Sequence, residues 1–321
     1  MFLTGFADEA SSDFAIQIQA TQELGWRFIE ARNINGKNLS SLTDAEFEDV
    51  ERRLDASGIR INCFGSAVAN WQRHPRKAED FEASKTELER VFPRMEKLGV
   101  KLLRGMSFLT PADEAPDSPE LEAIIFRKVL LLNKMCADHG IVYGHENCMN
   151  YGGLSHLHTL KLLDAVHHDN FKLIFDTGNP TFNYRHIGAS PYPLQSAWEF
   201  YCNVREHIVH VHIKDGLALP RPDGARPNAE YTYPGDGAGD VRAIVRDLVQ
   251  NGYDGGFSME PHIAAVFHAR NPEQSSETVR YSSYIEYGRR FEKLLAEARC
   301  DRAGRRADFN AMKTQKNGVD L

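Results

Sequence analysis

The chain has 321 residues, 42% of them hydrophobic and 26% charged, enough apolar material for one large α/β domain or two ordinary ones. Its formal charge of −7 argues against the concentrated Lys and Arg surface that nucleic acid or an anionic membrane requires, and no apolar run approaches membrane length. Five cysteines (Cys63, Cys136, Cys148, Cys202 and Cys300), odd in number and without a C-x-x-C pair, read as reduced thiols. With no charged-then-apolar leader, a cytoplasmic protein is expected.

In chain order one phrase repeats. Apolar strand-like runs begin near Phe2, Phe28, Ile59, Val100, Ile141, Phe171, Ile208 and Gly256. Between them, apolar residues at three- and four-residue steps predict helices over 14–24, 47–54, 81–98, 121–137, 158–166, 194–204, 241–248 and 278–296. Thr43 with Glu46 three places later forms a capping-box signal before the second helix. Gly25, Gly58, Gly99, Gly140 and Gly252 sit where helices should stop, each just ahead of the next strand.

Eight strand–helix units without an antiparallel interlude imply a parallel sheet, and in this length a closed (β/α)8 barrel, a TIM barrel, in a single domain over 1–298. An open doubly wound sheet is the rival, but no Gly-x-Gly-x-x-Gly turn follows the first strand. The Pro- and Gly-rich insertion from Gly216 to Gly239 would lie on the catalytic face as a lid or substrate loop. The polar stretch 299–321 is expected to be a flexible tail or an oligomer contact.

The strand Ile208 to Asp215, I-V-H-V-H-I-K-D, puts His210, His212 and Lys214 on one face. Three other strands end in a carboxylate, at Glu146, Asp176 and Glu260. On a barrel these are four consecutive strands, and reacting groups come from their C-terminal ends. Glu146, Asp176, His212 and Glu260 therefore form a candidate metal-ligand set. Three carboxylates with one imidazole favour a divalent ion, Mn²⁺ or Mg²⁺ first, then Co²⁺ or Zn²⁺. The plainer reading is four ordinary strand-end side chains in solvent.

The motifs H-E-N at 145–147, F-D-T-G-N at 175–179, H-V-H-I-K-D at 210–215, P-G-D-G at 234–237 and S-M-E-P at 258–261 resemble the xylose-isomerase-like TIM barrels, the sugar-phosphate isomerase and epimerase superfamily. The resemblance spans about residues 1 to 298 and includes the run I-E-A-R-N-I-N-G-K-N at 29–38. It implies the same four ligands and an acid/base pair, Glu146 and Glu260. The expected activity is that of a metal-dependent sugar or keto-polyol isomerase or epimerase. Such an enzyme abstracts a proton beside a metal-bound carbonyl and passes through an enediolate. The superfamily also holds inosose and dehydroshikimate dehydratases, so a dehydratase is the alternative and a non-catalytic sugar-binding barrel the second. Asn179 and Ala218 stand where ketohexose epimerases carry a histidine and an arginine.

Lys214 is the expected extra catalytic group, able to polarise a carbonyl or protonate a leaving hydroxyl, although a salt bridge to a nearby loop acid explains it equally. Glu30, Arg32, Arg104, Asn179, His262 and Trp71 are candidate substrate-binding residues, with an internal Arg–Glu pair as the structural explanation of the first three. His210 should pack in a barrel layer and His145 should point outward; Asn147 and Asn179 are candidates to brace the ligands. The expected partner is a small sugar or cyclitol, in a protein that binds neither nucleic acid nor membrane, with a homo-oligomer as an open option. A DNA-repair endonuclease on this fold would need more histidines and a basic groove.

Overall fold

The computed structural model describes residues 1–115, 117–221, 226–264 and 276–316, with side chains described up to residue 301. Eight parallel strands make one sheet: β1 Phe2–Gly5, β2 Phe28–Ala31, β3 Arg60–Gly65, β4 Leu102–Gly105, β5 Val142–Glu146, β6 Phe171–Asp176, β7 Ile208–Ile213 and β8 Gly256–Met259. From β2 to β8 each pairs with the next in sequence, and β8 returns to pair with β1, so the sheet curls into a nearly closed (β/α)8 barrel. The ladder is open only between β1 and β2.

Among the described residues eight α-helices follow the strands: α1 Phe14–Glu23, α2 Asp44–Ser57, α3 Ala78–Leu98, α4 Pro119–Asp138, α5 His156–Val166, α6 Ala197–Val204, α7 Val241–Gln250 and α8 Glu277–Lys316. Thr43 and Glu46 close the expected capping box on α2, satisfying two otherwise orphaned amides. All five helix-stop glycines adopt positive φ, between 62° and 82°, the left-handed turn that frees the chain to re-enter the sheet. The outward faces of the strands, such as Val211 and Ile213, are fully buried under the helices.

Two details depart from strict alternation. A short antiparallel ribbon joins Asn33–Ile34 to Lys37–Asn38, and a longer one joins Gly216–Leu219 to Asn228–Tyr231. The second lies within the expected lid insertion, of which 222–225 fall outside the described residues. Both ribbons are too short to show an apolar alternation of their own. The stretch expected as a tail is helical as far as Lys316, and 317–321 fall outside the described residues. No described helix is long and apolar enough to cross a membrane.

Candidate metal centre

Register builds the site. His212 pairs with Asp176 of β6 on one side and Ser258 of β8 on the other, while β5 lies beside β6 with Glu146 at its end. The side chains of Glu146, Asp176, His212 and Glu260 converge, one donor atom from each lying within 4.8 Å of all the others. None is more than 3% exposed. His212 Nδ1 is 3.5 Å from both Glu146 Oε1 and Glu260 Oε2.

Four donor atoms at this point make no hydrogen bond: Glu146 Oε2, Asp176 Oδ2, Glu260 Oε2 and His212 Nδ1. Buried carboxylates without such partners are costly unless positive charge faces them. Some is supplied by Lys214, whose Nζ stands 2.8 Å from Asp176 Oδ2 and 3.0 Å from Glu260 Oε2, an ion-pair contact without hydrogen-bond alignment. Burial, opposed by Lys214 and assisted by the charges of Glu260 and Glu146, pushes Asp176 up to about 6. Three carboxylates and an imidazole, all aimed at one point, fit a divalent cation.

Each donor is braced from behind. Glu30, fully buried, accepts from His212 Nε2 at 3.1 Å and His210 Nε2 at 2.8 Å. Burial alone would raise Glu30, but the two histidines outweigh it and hold the carboxyl well below its usual range. With Nε2–H committed to Glu30, the other ring nitrogen of His212 turns toward the carboxylates. Asp176 Oδ1 accepts the Gly178 and Asn179 amides, at 2.8 Å and 2.7 Å, which leaves Oδ2 facing inward. Asn147 clips the Asp176 backbone at both its amide and its carbonyl. Gly178 is needed for clearance: a Cβ there would lie 2.7 Å from Lys214 Cγ.

The other expected residues divide. Asn179 donates to Glu146 Oε1 at 3.2 Å and accepts from Lys214 at 3.3 Å, so it joins the cluster. Arg104 lies 3.4 Å from Glu146 Oε2, and Arg32 lies 3.2 Å from Glu260 Oε1. His262 faces Glu260 Oε1 at 3.4 Å through Nε2 and Glu9 at 3.0 Å through Nδ1. Glu30 departs from the expectation of a substrate contact, because both its oxygens are taken by histidines beneath the centre. Trp71 is half-buried in the loop after β3, with no hydrogen bond or ring contact to the cluster among the described residues. His210 packs below His212, and His145 turns to Ser107 and Asn150, away from the centre.

Three groups at the end of β1 were not singled out by sequence. Asp8 accepts from Arg32 Nε and Nη2, Glu9 binds both Arg32 and His262, and the Phe6 ring lies 4.4 Å from the Arg32 guanidinium and 5.0 Å from the His212 ring. An acidic pair directly after a barrel strand was the available signal. Asp215, at the end of the I-V-H-V-H-I-K-D run, accepts from the amides of Gly216, Gly235, Gly237 and Gly239. It thus cinches both ends of the lid insertion. At Gly237 a Cβ would lie 2.4 Å from Asp215 Oδ1, so the loop wraps too tightly for a side chain.

The family described as xylose isomerase-like TIM barrel matches residues 18–283. No curated protein matches the sequence. Among solved structures, the chain is similar to a xylose isomerase-like TIM barrel protein from Mycobacterium smegmatis in complex with magnesium, at 19% identity and a TM-score of 0.65, covering 89% of each chain. It is similar to the IOLI protein with a binding zinc atom, at 17% identity and a TM-score of 0.66, covering 94% of this chain and 99% of that one. It is also similar to D-allulose 3-epimerase from Methylomonas sp. in complex with D-allulose, at 18% identity and a TM-score of 0.61, covering 92% and 96%. At such identities these likenesses speak for the fold.

Proposed function

The chain belongs to the xylose isomerase-like TIM-barrel family, and from that premise we propose that it is a divalent-metal-dependent isomerase or epimerase of a sugar or keto-polyol. The observation that carries the reading is the convergence of Glu146, Asp176, His212 and Glu260 on one buried point with their facing atoms free of hydrogen bonds. Mn²⁺ or Mg²⁺ suits this donor set best, with Co²⁺ or Zn²⁺ next. When bound, such an ion supplies Lewis-acid polarisation of a carbonyl, which acidifies the neighbouring C–H.

The chain's own residues do the rest. Glu146 and Glu260 approach the centre from β5 and from the end of β8: Glu146 is held by Asn179 at Oε1 with Arg104 beside Oε2, and Glu260 by Arg32 at Oε1 with Oε2 facing His212. One takes the carbon-bound proton and the other returns it. Return to the same carbon from the other face yields an epimer, and return to the adjacent carbon yields an aldose–ketose pair. Near-complete burial keeps bulk water from quenching the proton in transit.

A dehydratase is the second reading, favoured by one observation. Lys214 Nζ lies among Asp176, Glu260 and Asn179, where an ammonium can protonate a β-hydroxyl as it leaves. One experiment separates the two. Metal-loaded protein is incubated in D₂O with ketoses, inososes and dehydroshikimate, and NMR follows deuterium uptake and loss of water. Uptake that depends on the metal supports the enzyme, and uptake with elimination selects the dehydratase. No uptake with any substrate under Mn²⁺, Mg²⁺, Co²⁺ or Zn²⁺ would sink both.

A further inference from the structure

Just before the ribbon strand Asn228–Tyr231, the lid insertion brings a half-buried arginine back against the mouth of the barrel. Arg226 Nε donates to the Phe182 carbonyl at 3.1 Å, and its Nη1 touches the Met149 sulfur. Among the described residues no Asp or Glu is paired with it, and burial pulls its guanidinium below the usual arginine range. A half-buried guanidinium with only neutral partners among the described residues gains from a ligand that supplies the counter-charge.

Arg226 lines a cavity of about 210 Å³ together with Thr110, Met149, Leu154, Tyr184 and His186. That is space for roughly seven waters, enough for an oxyanion and part of its carbon chain. Thr110 Oγ1 and His186 Nδ1 are buried without a hydrogen-bond partner, and both are groups able to donate to an anionic oxygen. The cavity adjoins the metal centre. Cys148, two residues after Glu146, forms part of its wall. The carbonyl that holds Arg226 ends the short 3-10 turn Asn179–Phe182, whose first residue contacts both Glu146 and Lys214. At about 2 Å of rise per residue, that turn spans roughly 6 Å between the residue that contacts the centre and the one that holds Arg226.

We propose that this cavity receives an anionic end, carboxylate or phosphate, of the molecule whose carbonyl lies at the metal centre, with Arg226 as its counter-charge. The identity of that molecule rests on the isomerase reading, whereas anion binding at Arg226 does not. A planar guanidinium with two hydroxyl or imidazole donors nearby matches the oxygens of either group.

The test uses the full chain, stripped with chelator so that no cation can recruit the anion. It is titrated calorimetrically with inorganic phosphate and, separately, with acetate. Binding of either is expected, and which one binds assigns the group. Arg226→Gln should weaken it roughly tenfold or more, and Arg226→Lys by less. Glu146→Gln should leave anion binding intact while abolishing deuterium exchange. If circular dichroism shows that Arg226→Gln does not fold, Arg226→Lys and Thr110→Val carry the comparison. Absence of binding for both anions, or equal affinity in wild type and the Arg226 variants, overturns the proposal. Arg226-dependent anion binding without exchange on any substrate would retain the cavity and reject the isomerase. Exchange without anion binding would do the reverse.

Discussion

Glu30 Oε1 lies 3.1 Å from His212 Nε2 beneath the centre, linking the second strand of the barrel to the seventh. The contact fixes which ring nitrogen of His212 is left for a cation. Glu30→Gln should therefore lower divalent-ion affinity by about 10- to 100-fold while leaving all four donors in place. It should also lower the unfolding temperature, because His210 and His212 lose the charge they face. Calorimetric titration with Mn²⁺ and a thermal melt would check both, and an unchanged metal affinity would remove Glu30 from this role.

Metal binding should release protons. Burial works against a charged His212, but Glu30, Glu146 and Glu260 outweigh it and hold the imidazole well above its usual range. Asp176 is pushed up to about 6. Both must lose protons to coordinate, so affinity should climb as pH rises through about 6, where Asp176 ionises, and go on climbing above the usual imidazole range as His212 loses its proton. Titrations in two buffers of different ionisation enthalpy would report the proton count; identical heats would contradict the prediction.

Lys214 and a cation compete for Asp176 Oδ2 and Glu260 Oε2. Lys214→Met should bind Mn²⁺ at least as tightly as wild type, since it removes a positive charge from the same two oxygens. Turnover should nevertheless drop by about 10²- to 10⁴-fold if the ammonium transfers a proton to the substrate. Weaker metal binding in this variant would show instead that Lys214 mainly organises the donors.

Asp215 gathers four glycine amides from both ends of the lid insertion. Asp215→Ala should cost roughly 3 kcal/mol of stability, as one buried carboxylate is replaced by four unsatisfied donors. Cleavage between 216 and 239 under limited proteolysis should accelerate in parallel. Denaturant melts and mass spectrometry of the digest would test this, and unchanged proteolysis would show that the loop is anchored elsewhere.

The barrel was legible because parallel strands buried on both faces read as compact apolar runs, five of them preceded by a left-handed glycine such as Gly58 or Gly99. The four donors were legible because position on a strand reveals which end of the barrel a residue occupies. What stayed hidden depends on contacts across the barrel. The Glu30–His212 pair is 182 residues apart in sequence, and no spacing rule announces it. Arg32, expected to reach a ligand, is engaged by Asp8 and Glu9 from the end of β1. Arg226 gave no motif, since its interest lies in what is missing around it. The ribbon pairing Gly216–Leu219 with Asn228–Tyr231 escaped because strands of four residues are too short to carry a periodic signal.

Where β1 and β2 fail to pair, side chains do the joining: Asp8 on one edge clasps Arg32 on the other. That clasp also grips Glu260 Oε1, a carboxylate whose second oxygen faces the candidate centre. A seam stitched by charges rather than amides is where the cylinder would breathe most readily. Drawing Glu260 inward would tighten the stitch, so amide exchange along β1 and β2 should slow on metal loading. If it does not, the seam and the centre are mechanically independent.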